Sequence, residues 1–188
     1  MRVLAIGDSL TAGWGVPDAA GFTVRLERAL RAEGRPVEII NAGVPGETTA
    51  GGRQRLDWLM REPFDAAMVE LGANDALMGV PPERVFANLD AILDRLETRG
   101  VPILLAGMLA PPDFGDRYEE AFNDAYVRLT RKHDVVFYPF FLDGVTTDPA
   151  LHQGDGIHPN ARGVDVIVER ILPDVRRLLD RVVMVEAP

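Results

Sequence analysis

The sequence predicts an α/β fold: a three-layer α/β/α sandwich built on a five-stranded parallel sheet. Short apolar runs alternate along the chain with longer amphipathic segments, which indicates repeated strand–helix units joined by right-handed crossovers. Five such units favour the flavodoxin-like strand order 2-1-3-4-5. The 188 residues show no internal repeat, low-complexity tract or linker, so we expect a single domain over residues 1–188.

Five apolar runs are the predicted strands, at residues 3–6, 37–40, 66–71, 101–106 and 135–138. The first run is closed by Gly7, Asp8 and Ser9, which is typical of a buried parallel strand that ends in a sharp turn. The carboxyl ends of parallel strands meet at one edge of the sheet, where α/β proteins bind their ligands. We therefore expect the catalytic or ligand-binding side chains in the segments that follow these runs.

Amphipathic segments near residues 22–32, 49–61, 82–99, 117–132 and 160–182 are the predicted helices. In the third of them, apolar residues from Val85 to Leu96 recur on one helix face. Gly34 and Gly100 mark helix ends. Pro173 predicts either a kink in the last helix or the start of a new one, and residues 182–188 either pack as an extended strand or fray.

Composition excludes several classes of function. The net charge of -9 repels phosphate backbones, and no basic stripe offsets it, so we expect no nucleic-acid partner. The chain has no cysteine, which excludes disulfides, thiol catalysis and thiolate metal sites. No apolar stretch is long enough to span a bilayer. The N-terminus lacks a leader pattern, which predicts a cytoplasmic protein; the alternative is a periplasmic or secreted protein whose leader has been removed.

Ser9 is the only serine in the chain, and it directly follows the first predicted strand. A serine hydroxyl is a poor nucleophile at neutral pH unless a base removes its proton. A serine in such a turn can also be a local hydrogen-bonding residue with no catalytic role. The position of Ser9 at the expected ligand-binding edge favours a catalytic role, in which Ser9 is the nucleophile for acyl transfer.

The base must be one of the three histidines in the chain. His133 follows two basic residues at a predicted helix end and is expected at the surface. His152 lies in a predicted loop with no strand end or helix start to position it, and is the weaker candidate. His158 follows Asp155 by three residues, with Gly156 between them to allow a tight reversal, so the carboxylate can bond one imidazole nitrogen and hold the tautomer.

Acyl transfer also needs donors for the oxyanion that forms during attack. The candidates are the backbone N–H groups of Ser9 and Gly46 and the side-chain amide of Asn74, which all follow strands at the same edge. Gly43 is a rival to Gly46 as the backbone donor. Asp8 is expected to brace the turn that holds Ser9 rather than to transfer protons.

Four short motifs occur in order: Gly7-Asp8-Ser9-Leu10, a glycine after the second strand, Gly72-Ala73-Asn74-Asp75, and Asp155-Gly156-Ile157-His158-Pro159. Together they resemble the motifs of the SGNH (GDSL) hydrolases, over residues 4 to about 171. The resemblance implies that Ser9, Gly46, Asn74 and His158 are the four residues that define the family and that Asp155 completes the triad.

Within that family, residues 69–75, 118–122, 138–141 and 155–160 are similar to the bacterial multifunctional acyl-CoA thioesterase, arylesterase and lysophospholipase group. This implies a serine hydrolase that cleaves carboxylic esters or thioesters of a small-molecule substrate through an acyl-enzyme on Ser9. No metal and no organic cofactor is required. Nothing in the sequence predicts an oligomeric state.

Apolar residues near the predicted site are candidates for substrate contacts: Leu77, Met78, Val80, Pro111 and Phe114, with Pro112 beside them. The alternative is that they belong to the core of the sandwich. Three other functions remain open: a carbohydrate acetylesterase of the same fold, a non-catalytic flavodoxin-like binding module, and a metal-dependent hydrolase that uses Asp8, Asp75, Asp155 and His158.

Overall fold

The computed structural model describes residues 1–182, and the prediction for the C-terminal tail therefore falls almost entirely outside the described residues. Five parallel strands form one sheet: β1 (Arg2–Gly7), β2 (Glu38–Gly43), β3 (Ala66–Glu70), β4 (Ile103–Ala106) and β5 (Val135–Tyr138). Their order is β2-β1-β3-β4-β5, as predicted. The described helices include none long and apolar enough to cross a membrane.

Within the described residues, seven α-helices surround the sheet: α1 (Ser9–Ala12), α2 (Phe22–Ala32), α3 (Thr49–Leu59), α4 (Ala73–Leu77), α5 (Pro82–Glu97), α6 (Asp116–Lys132) and α7 (Ala161–Asp180). Helix α2 packs against α7, while α5 packs against both α3 and α6, so the helices form two layers. Short 3₁₀ turns occupy Asp18–Ala20, Pro112–Phe114 and Pro149–Leu151. The three-layer α/β/α sandwich is confirmed.

The core lies on both faces of the sheet. Every residue of β3 and β4 is buried, because helices cover both sides of these central strands. The helices contribute one apolar face each; in α5 the buried residues are Val85, Leu89, Ile92, Leu93 and Leu96, which the sequence pattern placed on one side.

Several elements differ from prediction; β4, for instance, begins at Ile103 rather than at residue 101. Strand β2 continues to Gly43, since Asn41, Ala42 and Gly43 pair in register with β1 although they are not uniformly apolar. The last helix runs without interruption through Pro173, so the prediction that a new helix starts there is wrong. Helices α1 and α4 have four and five residues, too short for a periodic pattern to predict.

Candidate active site

Ser9 is the first residue of α1, directly after the turn that ends β1. Asp8 caps this helix: its Oδ1 accepts a hydrogen bond from the N–H of Leu10 at 2.9 Å. A side chain at Gly7 would collide with Thr11, since a Cβ there would lie 2.1 Å from the Thr11 hydroxyl oxygen. The glycine and the capping aspartate thus set the tight strand-to-helix turn that presents Ser9.

His158 reaches Ser9 from the loop before α7. The Oγ of Ser9 lies 2.8 Å from Nε2 of His158, although 149 positions separate them in sequence. On the other side of the ring, Nδ1 of His158 lies 2.6 Å from Oδ2 of Asp155. These distances are within hydrogen-bond range, so the three side chains form one continuous hydrogen-bonded series.

Asp155 is held by its own loop. Its Oδ1 accepts the N–H groups of Ile157 at 2.9 Å and of His158 at 3.0 Å, around Gly156, whose φ of +70° suits glycine. The bond to the His158 side chain, together with these two backbone bonds, holds the pKa of Asp155 well below its usual range. Asp155 therefore stays a carboxylate and accepts a hydrogen from Nδ1, which leaves Nε2 free to take the serine proton.

Gln153 fastens this loop beside the nucleophile, a role that the sequence analysis missed. Its Nε2 donates to the carbonyl oxygens of Trp14 at 2.8 Å and Pro159 at 2.9 Å. Its backbone N–H donates to the His158 carbonyl at 2.7 Å. Since Trp14 lies two residues after the end of α1, these bonds connect the Ser9 and His158 segments. A lone glutamine in a loop gives no sequence signal for such a role.

Asn74 forms hydrogen bonds to the chain neighbours of the other two predicted donors. Its Nδ2 donates to Oδ2 of Asp8 at 3.0 Å and to the carbonyl oxygen of Glu47 at 2.9 Å. Asp8 and Glu47 are the chain neighbours of Ser9 and Gly46, so the structure brings all three predicted oxyanion donors to one place. Both amide hydrogens of Asn74 are engaged in these two bonds.

The two glycines after β2 differ in what their backbone does. The N–H of Gly43 donates to Oδ1 of Asn41 at 3.0 Å, and a Cβ on Gly43 would lie 2.3 Å from the backbone nitrogen of Ala12. Gly43 therefore allows close packing of β2 against α1. The N–H groups of Gly46 and Ser9 make no hydrogen bond within residues 1–182, and Gly46 has a φ of +78°. Of the two glycines, only Gly46 presents an available N–H.

Two buried carboxyl groups lie behind Ser9. Asp8 is fully buried, and burial raises its pKa to about 6. Glu70, at the end of β3, accepts a hydrogen bond from the Thr11 hydroxyl at 2.7 Å, and burial together with the nearby Asp8 carboxyl raises its pKa well above the usual range. Its Oε1 has no partner within the described chain. A charged residue at the end of an apolar run was the available sequence signal for Glu70.

Asp75 stabilises the start of α3. Its carboxylate accepts the backbone N–H of Thr49 at 2.8 Å and the Thr49 hydroxyl at 2.7 Å, so it fastens the start of α3. In the described chain, the trio of acidic and histidine ligand atoms that converges within 4.8 Å is Asp90, Asp94 and His133. Asp8, Asp75, Asp155 and His158, the set considered for a metal-dependent hydrolase, do not form such a group of ligand atoms.

The prediction that His133 lies at the surface is wrong. Its side chain is 1% exposed, and its ring nitrogens lie 2.8 Å from Oδ1 of Asp90 and 3.0 Å from Oε1 of Glu97. Both carboxylates are on α5, so His133 ties the end of α6 to that helix. His152, the weaker candidate for the base, is half-buried in the wall of a groove near the site.

An apolar groove of ≈ 520 Å³ adjoins the triad, lined by Ala73 next to Asn74 and by Ile157 next to His158. Two of the predicted substrate residues, Leu77 and Pro111, line it. Met78, Val80 and Phe114 do not line it. Leu77, Met78 and Phe114 are each about half exposed, so the alternative that they form core is wrong for these three.

The chain belongs to the GDSL-like lipase/acylhydrolase family, whose family model matches residues 5–166. It is 35% identical to esterase TesA of Pseudomonas aeruginosa over 178 residues, covering 94% of this chain and 89% of that protein. It is 31% identical to thioesterase 1/protease 1/lysophospholipase L1 of Escherichia coli, covering 95% and 85% of the two chains. The crystal structure of AlinE4, an SGNH-hydrolase family esterase, has a TM-score of 0.80 and 44% identity over 95% of this chain and 96% of that one. The predicted family resemblance is confirmed.

Proposed function

We propose that this protein is a serine hydrolase that cleaves carboxylic esters and thioesters through an acyl-enzyme on Ser9. The observation that carries the proposal is the continuous series from Ser9 Oγ to His158 at 2.8 Å and from His158 to Asp155 at 2.6 Å. A serine, a histidine and a carboxylate in this order supply the nucleophile, the general base and the group that orients the base. A non-catalytic binding module would have no use for this series.

In the first step, Ser9 Oγ attacks the carbonyl carbon while Nε2 of His158 takes the hydroxyl proton. Asp155 stabilises the imidazolium that forms, through its bond to Nδ1. His158 then returns the proton to the departing alcohol or thiol, which leaves the acyl group on Ser9. A water molecule, activated by the same histidine, hydrolyses the acyl-enzyme and restores the hydroxyl.

The developing oxyanion is stabilised by the N–H groups of Ser9 and Gly46 and by the Asn74 amide. Support for this role comes from the backbone N–H groups of Ser9 and Gly46, which have no hydrogen-bond partner within residues 1–182, and from the bonds of Asn74 to Asp8 and Glu47. Asn74 donates to the oxyanion by exchanging its bond to the Glu47 carbonyl for one to the substrate, while its bond to Asp8 keeps the amide oriented. Each such donor is worth about 10²–10³ in kcat.

The acyl chain occupies the apolar groove. Its volume of ≈ 520 Å³ is within the range of about 300–1,000 Å³ that small-molecule sites occupy. Leu77, Pro111 and Ile157 contribute apolar wall. An acetyl group would leave most of this surface unused, so the groove favours longer acyl chains over the carbohydrate acetylesterase alternative.

A chain-length series tests the proposal. We expect kcat/KM to rise from p-nitrophenyl acetate to medium-chain esters, since each methylene that enters the groove contributes about 0.8 kcal/mol. Acyl-CoA substrates of the same lengths report thioester cleavage, and acetylated xylan reports the alternative. Ser9→Ala should lower kcat by at least about 10⁴-fold for every substrate. Ser9→Ala activity within about tenfold of the parent would contradict the proposal.

A cytoplasmic location stays a prediction, which fractionation of cells that express the whole gene will test.

A further inference from the structure

Exposed apolar side chains are concentrated around the active-site groove. Ten large apolar residues are exposed in the described chain, and six of them lie on segments that follow the carboxyl ends of β1, β3, β4 and β5. We call these six the apolar collar: Trp14, Leu77, Met78, Leu109, Phe114 and Ile157. Their exposed fractions run from 46% for Leu109 to 59% for Met78. The other four are Val24 in α2, Trp58 in α3, Val127 in α6, and Val44, which directly follows β2 at the same edge of the sheet but does not line the groove.

At the opposite edge of the sheet, the connecting loops carry charged residues rather than exposed large apolar ones. There the connections contain Glu33 and Arg35 before β2, Glu62 before β3 and Arg99 before β4. None of the exposed large apolar residues in the described chain lies in these connections. The apolar surface is therefore specific to the edge that holds Ser9.

The collar is wider than the groove needs. Leu77, Leu109 and Ile157 both belong to the collar and line the groove, so the two surfaces are continuous. Trp14, Met78 and Phe114 extend the collar outward and do not line the groove. A single dissolved substrate buried in the groove would leave these three side chains in water, which indicates a larger apolar partner.

Charge defines which partner fits. The protein carries a net charge of -9, and the exposed acidic residues Asp113, Asp116 and Asp155 are within two positions of Phe114 or Ile157 of the collar in the sequence. An anionic lipid surface would be repelled, whereas a zwitterionic surface exposes quaternary ammonium groups that acidic side chains attract.

We propose that the apolar collar docks on the surface of zwitterionic phosphocholine bilayers, so that acyl chains pass from the lipid into the groove. The proposal rests on the proposed function in that Ser9 is the nucleophile for acyl chains held there. Docking itself needs no chemistry, because it depends only on the collar. The two claims can therefore fail separately.

The two tryptophans of the chain provide an internal comparison. Trp14 is in the collar and is 56% exposed, whereas Trp58 lies in α3 outside the collar and is 65% exposed. The measurements use the Ser9→Ala chain, which removes hydrolysis. With Trp58→Phe added, Trp14 is the sole emitter; with Trp14→Phe added, Trp58 is. On phosphatidylcholine vesicles, we expect Trp14 emission to shift to shorter wavelength and to be quenched by brominated acyl chains, and Trp58 emission to stay unchanged.

Vesicle co-flotation measures the strength of docking. Trp14→Gln should weaken binding to phosphatidylcholine vesicles by about tenfold or more, because a large apolar side chain no longer enters the lipid, while Trp58→Gln should bind as the parent does. Phosphatidylglycerol vesicles should bind more weakly at low salt. Hydrolysis of a short-chain soluble ester by the parent chain, which retains Ser9, tests the proposed function independently of docking.

Three results would overturn the proposal. One is unchanged Trp14 emission at saturating vesicle concentration. Another is an equal shift at Trp58, which would mean that binding does not use the collar. The third is self-association of the chain that Trp14→Gln abolishes, with no vesicle binding, which would make a second copy of this protein the partner of the collar.

Discussion

Replacing Asp155 with asparagine should abolish most of the activity by reversing the tautomer of His158. Oδ1 of Asp155 accepts two backbone N–H groups, at 2.9 and 3.0 Å. An asparagine must keep its own Oδ1 in that position, because its amide nitrogen cannot accept those bonds. The nitrogen then takes the place of Oδ2, which lies 2.6 Å from Nδ1 of His158. It donates to Nδ1 and forces the ring hydrogen onto Nε2.

With a hydrogen on Nε2, His158 can no longer accept the proton of Ser9 across the 2.8 Å contact. The loss known for such a tautomer reversal is about 10⁴ in kcat, which corresponds to about 5 kcal/mol of barrier. KM should change little, because Asp155 does not line the groove. The assay is steady-state hydrolysis of a p-nitrophenyl ester at neutral pH.

Asp148→Asn is the matched control. Asp148 also accepts a backbone N–H in a nearby turn, from Ala150 at 2.9 Å, but within residues 1–182 its side chain makes no hydrogen bond to a histidine. This variant should keep the kcat of the parent chain. Asp155→Asn activity within about tenfold of the parent would refute the reasoning that the orientation of Asp155 selects the tautomer.

Three further predictions concern Asp8, the two glycines after β2, and His133. Burial raises the pKa of Asp8 to about 6, from 3.8, so the folded state binds more protons than the unfolded state between these values. Relative to Asp8→Asn, the parent should therefore lose about 2–3 kcal/mol of unfolding free energy as pH rises from about 4 to 7, measured by urea denaturation. A pH-independent difference would contradict this. Gly43→Ala should destabilise the fold and reduce activity strongly, because its Cβ would lie 2.3 Å from the Ala12 nitrogen. The Cβ of Gly46→Ala meets no atom within 4 Å, so this variant should lose only about 1–2 kcal/mol of unfolding free energy, owing to the left-handed φ at that position. Equal melting temperatures of the two variants would be inconsistent with this packing. His133→Ala should lower the unfolding free energy by about 2–4 kcal/mol with kcat unchanged, since two carboxylates lose their buried partner; an unaltered urea midpoint would argue against that role.

Much of the fold could be predicted because burial on both faces gives central strands a continuous apolar signal. The run at β3 and the apolar face of α5 are examples, and both lie where the pattern placed them. The sheet order followed from the strand–helix alternation and the handedness of crossovers. The candidate triad could be chosen because a single serine and three histidines leave few combinations.

Other features depend on tertiary contacts that no local pattern encodes. His133 follows basic residues at a helix end, which predicts a surface position, yet Asp90 and Glu97 from another helix satisfy both ring nitrogens and allow burial. Gln153 acts through the backbone carbonyl of Trp14, 139 positions away. The choice between Gly43 and Gly46 needed the hydrogen-bond partner of each N–H, which becomes visible only in three dimensions.

Covalent trapping of the acyl-enzyme nucleophile tests the central claim most directly. A fluorophosphonate reagent, followed by intact-mass measurement and peptide mapping, should add one phosphonyl group per chain, on the peptide that contains Ser9, the only serine present. The Ser9→Ala chain should remain unmodified under the same conditions. Stoichiometric labelling of that variant, or an active parent chain that resists the reagent, would contradict the assignment of Ser9 as the nucleophile.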